Sequence, residues 1–176
     1  MYKLILLVLF AITALTANKL VLENGEVIAH TEIFGDKNID PKTKKIYTNL
    51  QYENDFSNIK GTIWINSIDL ESEDSSRDKN MYDLLKSKIN PKISFDFINV
   101  RKIDKDNYMI EGFISLNKVS RKVKALTKIS KSNNKVFFDG AFNINLTDYN
   151  LEPPTLLFLT VRNKIDIKYN FEFSDM

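Results

Sequence analysis

The sequence predicts an all-β protein of antiparallel strands, and three observations predict it. Apolar and polar residues alternate with a period of two along most of the chain, the turn signals between runs are of hairpin length, and only one segment has a clear helical pattern. Successive side chains on a strand point to opposite faces, so each run has one oily and one wet face.

In chain order, residues 1–17 stand apart as a secretory leader. Lys3 supplies a positive start, residues 4–12 are an unbroken apolar run, and Thr16 and Ala17 are small residues suited to a signal peptidase. The run is shorter than the roughly 20 residues that cross a bilayer. The mature chain is expected to begin near Asn18 and to lie in the periplasm or outside the cell, as one domain over residues 18–176. Ile63 and Ile65 share one strand face, with Trp64 and Ile68 on the other. Asp78 or Ser76 is placed to cap a short helix through Met81, Tyr82, Leu84 and Leu85. That helix must stop before Asn90-Pro91, because proline disfavours helical backbone at the residue preceding it. Ile93, Phe95 and Phe97 form the next oily face, then Tyr108, Ile110, Ile114 and Leu116, then Val119, Val123, Ala125 and Ile129. Val136, Phe138, Phe142, Ile144 and Leu146 follow, with Gly140 among them as a mark of a bulge or bend. The last face carries Leu159, Val161, Ile165, Ile167, Tyr169, Phe171 and Phe173. Lys105-Asp106-Asn107, Asn117-Lys118 and Ser132-Asn133-Asn134-Lys135 supply the reversals. Seven or eight such strands must bury their oily faces in a sandwich or in a barrel closed on itself. Periodicity does not choose between these, and on pattern alone the stripes read as a packed core.

Composition narrows the function. The chain has 176 residues, 43% hydrophobic and 27% charged, which suits one folded domain rather than a disordered chain or an integral membrane protein. A net charge of +2 gives no strong positive field for nucleic acid. There is no cysteine, which removes disulfides, thiolate metal sites and a cysteine nucleophile. The single histidine, His30, excludes a multi-histidine zinc site and has no His-Glu-x-x-His partner. Ser75 and Ser76 lack the context of a nucleophile elbow. An enzyme is therefore not expected.

Several motifs, in order and spacing, resemble the YceI-like polyisoprenoid-binding family. They are Ser67-Ile68-Asp69-Leu70, Ser76-Arg77-Asp78, Asn90-Pro91-Lys92-Ile93-Ser94-Phe95, Gly112-Phe113-Ile114-Ser115-Leu116, Val119-Ser120-Arg121-Lys122-Val123, and Phe142-Asn143-Ile144-Asn145-Leu146-Thr147-Asp148-Tyr149. The final run, residues 163–173, also fits. The family's histidine-glycine step is replaced by Phe34-Gly35, so no family role passes to His30.

The resemblance implies an eight-stranded antiparallel lipocalin-like barrel with a short helical segment after the Arg-Asp pair. It also implies a ligand: the apolar chain of an isoprenoid, an isoprenoid quinone or a similar long-chain amphiphilic lipid, enclosed in the barrel for carriage or storage. No cofactor is expected beyond such a bound lipid. The side chains placed to line the lumen are Phe95, Phe97, Ile114, Leu116, Phe138, Phe142, Ile144, Ile165, Ile167 and Phe171, of which about half should touch ligand because barrels close their ends with side chains. Arg77 and Asp78 are open to two readings: a contact to a polar head group, or a helix cap and a local ion pair. Arg121 and Lys122 could meet an anionic head or simply be solvated, and Lys42, Lys44 and Lys45 form a basic cluster read as a solvated loop or as transient membrane attraction. The competing class is an extracytoplasmic interaction module with a solid core, whose outer face, marked by Trp64 and Ile68, could serve a homodimer.

Overall fold

A computed structural model describes residues 17–33, 36–156 and 159–176. The leader read at residues 1–17 lies, apart from Ala17, outside the described residues, as does Phe34-Gly35. In chain order the strands are β1 (Asn18–Ile33), β2 (Asp36–Ile39), β3 (Lys42–Thr43), β4 (Tyr47–Thr48), β5 (Leu50–Tyr52), β6 (Thr62–Asn66), β7 (Lys92–Lys102), β8 (Asn107–Leu116), β9 (Val119–Ser132), β10 (Lys135–Asn145), β11 (Thr155–Leu156), β12 (Leu159–Thr160) and β13 (Lys164–Asp175). One α-helix, α1 (Ser75–Leu84), lies between β6 and β7.

Every ladder among the described residues is antiparallel, and short turns account for this in the β7–β8, β8–β9 and β9–β10 pairs. Eleven strands make one sheet in the order β2-β1-β13-β10-β9-β8-β7-β6-β4, with β3 and β5 also on β1. The sheet curls until its ends meet on one short segment. β4 pairs with β6, β5 pairs with β1, and Gln51 and Lys60 exchange backbone bonds of 3.0 and 2.8 Å between them. Thirteen strands among the described residues exceed the eight predicted. The excess lies in residues 36–52, where four short strands occupy a stretch in which the alternation marks none, and in the separate β11–β12 pair. Pro41 has no N–H to donate and separates β2 from β3. Asn117 and Lys118 hold φ of 48° and 63°, the left-handed pair that matches a tight hairpin to strand twist.

Two register shifts change which parity faces inward. In β1 the shift falls between Leu22 and Asn24, so Leu20 and Leu22 give way to Val27 and Ala29. In β7 it falls between Phe97 and Asn99, so Phe95 and Phe97 give way to Val100. Gly140 marks no bulge: its pairing runs unbroken on both sides. The glycine is there for space, since a Cβ would lie 2.4 Å from the Tyr169 hydroxyl oxygen.

The helix cap also differs from expectation. Asp74, rather than Asp78 or Ser76, is the N-cap, and its carboxylate accepts from the N–H groups of Ser76 and Arg77 at 2.8 and 3.2 Å. Asp78 lies within the first turns and accepts instead from the Ser72 N–H at 2.9 Å. Lys86, at φ 55°, ends the helix.

The interior packs as two clusters. At one end Leu20, Leu50, Tyr52, Val136, Phe138 and Phe173 are buried, and Phe56 bridges Tyr52 and Tyr108. At the other, Ile65, Leu70, Leu85, Leu116, Leu146 and Tyr149 pack together with Met81 and Leu84 of α1. Burying each such aliphatic or phenylalanine side chain stabilises the fold by roughly 1.5–3 kcal/mol. Ile46, Phe95 and Phe142 touch both clusters.

Candidate functional site

A cavity of about 280 Å³ lies inside the barrel between the clusters and reaches the α1 end. Its floor is Ile110, Ala125, Phe138 and Phe171, all buried. The walls come from the inward parity of six strands, and the roof from Met81, Leu84 and Leu85. The lining continues to exposed Arg77 and Asn80, so the cavity meets solvent there. Ile39, Pro41, Ser72, Pro154 and Val161 complete the rim.

All ten side chains placed in the lumen from the sequence border this cavity: Phe95, Phe97, Ile114, Leu116, Phe138, Phe142, Ile144, Ile165, Ile167 and Phe171. They divide into two groups. Ile114, Leu116, Phe138 and Phe171 are buried by protein atoms, whereas Phe95, Phe97, Phe142, Ile144, Ile165 and Ile167 remain half-buried although they point inward. A side chain left half-bare inside a barrel borders unfilled space. The rings form a connected series: Phe97 to Phe95 at 5.0 Å, Phe95 to Phe142 at 6.2 Å, Phe142 to Tyr169 at 6.3 Å and Tyr169 to Phe171 at 5.2 Å.

Polar groups are sparse along this wall. The Tyr169 hydroxyl shares a 2.6 Å hydrogen bond with Thr127, and burial pushes its pKa up to about 12. Thr31 lines the cavity, and its hydroxyl oxygen is buried with no hydrogen-bond partner among the described residues. At the rim, Arg77 Nε lies 3.7 Å from Asp74, and buried Asp78 ties the Ser72 backbone to α1. Both residues border the cavity.

The other singled-out groups lie elsewhere. Arg121 Nε donates to the Asp148 carbonyl at 2.9 Å. Lys122 and Lys124 grip Glu111 on the outer wall at 2.6 and 3.2 Å and hold its carboxyl below the usual range. Lys45 binds Asp69 at 2.8 Å, which lowers the pKa of Asp69. His30 does not line the cavity; its Nδ1 lies 2.6 Å from Asp40 and its Nε2 3.3 Å from Glu32. The hydrogen bond to Asp40 does most to raise its pKa.

Val27, Ala29, Thr31 and Ile33 of β1 also line the cavity; the sequence alternation marks no face in this stretch, and the bulge, which puts them out of phase with Leu20 and Leu22, hides one. Sequence reasoning also omitted Tyr169, which shares the inward parity of Ile167 and Phe171, and the helix residues Met81 and Leu84.

The YceI-like domain model matches residues 22–173. The chain belongs to the YceI-like family. This is a family of polyisoprenoid-binding proteins, so lipid binding is its common character. No curated protein sequence matches this YceI-like chain. Its fold is similar to that of Burkholderia cenocepacia BcnA, with a TM-score of 0.75 at 14% identity, over 84% of this chain and 95% of that one. It is also similar to the Campylobacter jejuni YceI protein, with a TM-score of 0.67 at 18% identity, over 79% of this chain and 85% of that one.

Proposed function

We propose that this YceI-like protein binds one long-chain amphiphile, an isoprenoid, an isoprenoid quinone or a similar lipid, as a carrier or store outside the cytoplasm. The tail enters the barrel cavity and the polar head stays at the rim beside Arg77, Ser72 and Asn80. One observation carries this reading: six inward side chains stand half-bare around a continuous apolar cavity instead of filling it. At about 280 Å³ the cavity lies just below the roughly 300–1,000 Å³ of typical small-molecule pockets, which suits one slender chain. Each methylene moved from water to this wall contributes roughly 0.8 kcal/mol. The wall needs no charge to hold a hydrocarbon, and the reading involves no chemical step. The leader read in residues 1–17 supports a periplasmic or secreted location.

Native mass spectrometry after gentle purification tests the proposal. A co-purifying mass of lipid size, displaced by added quinone, is expected. A ligand-free protein that ignores added quinones and fatty amides would overturn it and favour an interaction module.

A further inference from the structure

We propose that the α1 end of the barrel docks on an anionic membrane surface. Three connections meet there and are fastened to one another. The Ser67 hydroxyl donates to Ser87 Oγ at 2.7 Å, and the Ser67 N–H donates to the Pro91 carbonyl at 2.7 Å. Asn90 Nδ2 donates to Asn117 Oδ1 at 3.0 Å, and Asn117 Nδ2 donates to the Tyr149 carbonyl at 3.0 Å. The turn at residues 67–69, the segment 86–91 and the β8–β9 turn thus form one platform.

The platform presents two aliphatic tips. Ile68 is 50% exposed, and Ile89, at 72%, is the most exposed large hydrophobic side chain among the described residues. Lys86, Lys88, Lys92 and Lys118 surround them, all exposed. The acids closest to the platform in sequence are Asp69, whose carboxylate Lys45 holds, and Asp148 beside Tyr149, whose carboxylate accepts from Asn145 Nδ2 at 3.2 Å. Next to the platform, Tyr47 stacks on Trp64 at 5.6 Å and Lys92 Nζ lies 4.8 Å from the Trp64 ring centroid, and Trp64 also borders the cavity.

Apolar tips that enter the acyl boundary, cations that meet phosphate heads and an amphipathic aromatic pair at headgroup depth are the features that hold a protein on an anionic bilayer. Separate aliphatic tips amid unmatched lysines suit a lipid surface better than a protein partner, whose interface would need a contiguous apolar centre. α1 borders the cavity through Arg77, Asn80, Met81 and Leu84 and runs directly into Lys86. Docking therefore brings the cavity rim to the headgroup layer. The docking stands without any cavity ligand; only its purpose, exchange of an amphiphile with the bilayer, rests on the proposed function.

The test uses the delipidated mature protein, residues 18–176, with vesicles of phosphatidylglycerol and phosphatidylethanolamine, against vesicles of phosphatidylcholine alone. Co-sedimentation measures binding, and Trp64, the chain's single tryptophan, reports it by a blue shift. Binding to the anionic vesicles at low salt is expected, weakening as salt rises. Lys86→Gln, Lys88→Gln and Lys118→Gln should each weaken it about fivefold. Ile68→Ser and Ile89→Ser should each weaken it about tenfold. Affinity for a soluble quinone should be unchanged in all five variants. Absence of binding to anionic vesicles, or full binding by the double isoleucine variant, overturns the docking. So does a solution homodimer that the double variant abolishes, since that assigns the face to a second copy. Loss of quinone affinity with docking intact would instead count against the cavity reading.

Discussion

The Phe95 ring occupies the space where Gly112 of the neighbouring strand has no side chain: a Cβ there would lie 2.3 Å from Phe95 Cζ. Gly112 is thus required for the ring's place in the cavity wall. Gly112→Ala should push the ring off its seat and cost about 1–3 kcal/mol. The urea midpoint should fall accordingly, and adding Phe95→Leu should recover part of the loss. Additive losses in the double variant would remove this link.

The division of the ten lumen residues makes a second prediction. Phe138 is 1% exposed and packs on Phe173 at 5.1 Å, so Phe138→Ala should cost about 3–5 kcal/mol. Ile165 already faces open space, and Ile165→Ala should cost below about 2 kcal/mol, as judged from the same denaturation curves. Equal costs would mean that the space beside Ile165 is filled in solution.

His30 makes stability depend on pH. Asp40 and Glu32 stabilise the imidazolium, so its folded pKa stands above the ordinary 6.5. The extra stability is complete below about 6.5 and is lost as pH rises through the folded value. Wild type should therefore lose stability between acidic and mildly alkaline pH relative to His30→Gln, with Arg162 nearby opposing the effect. Urea midpoints of both proteins across this range check it, and parallel curves would contradict it.

Tyr149 and Tyr169 are both held up to about 12, chiefly by burial. Two of the seven tyrosines should thus stay neutral in an ultraviolet titration until pH about 12 or until the fold opens. Because the folded values exceed the ordinary 10.0, their stabilising effect is complete below 10 and fades above it. Tyr169→Phe leaves the Thr127 hydroxyl unpaired and should cost about 1–3 kcal/mol by denaturation.

What was legible in the sequence follows from where the alternation stays in phase. The β8–β9 and β9–β10 hairpins are short, and the ladders among β8, β9, β10 and β13 run without a register shift, so parity alone found their inward residues. In β1 one extra residue near Glu23 inverts the parity, and the inward residues there include Gly25 and Thr31, which carry little apolar signal. The ring closure between β5 and β1 joins residues about 30 apart through three-residue contacts that no local pattern announces. The Asp74 cap was missed because Asp, Ser, Ser and Asp crowd residues 74–78, and several of them could cap. Among the inward positions, Gly140 reads from the sequence as a bulge or bend and Gly112 only as part of a motif, yet each is the space into which an aromatic ring packs.

The most direct test is the affinity for a homologous series of amphiphiles with one head group and lengthening tails. A tail that enters the cavity should tighten binding about fourfold per added methylene, from roughly 0.8 kcal/mol each, and then level off once the space is filled. Ile144→Trp, which fills part of the cavity, should move that plateau to shorter tails. Affinity that ignores tail length, or no binding at any length, would contradict the account.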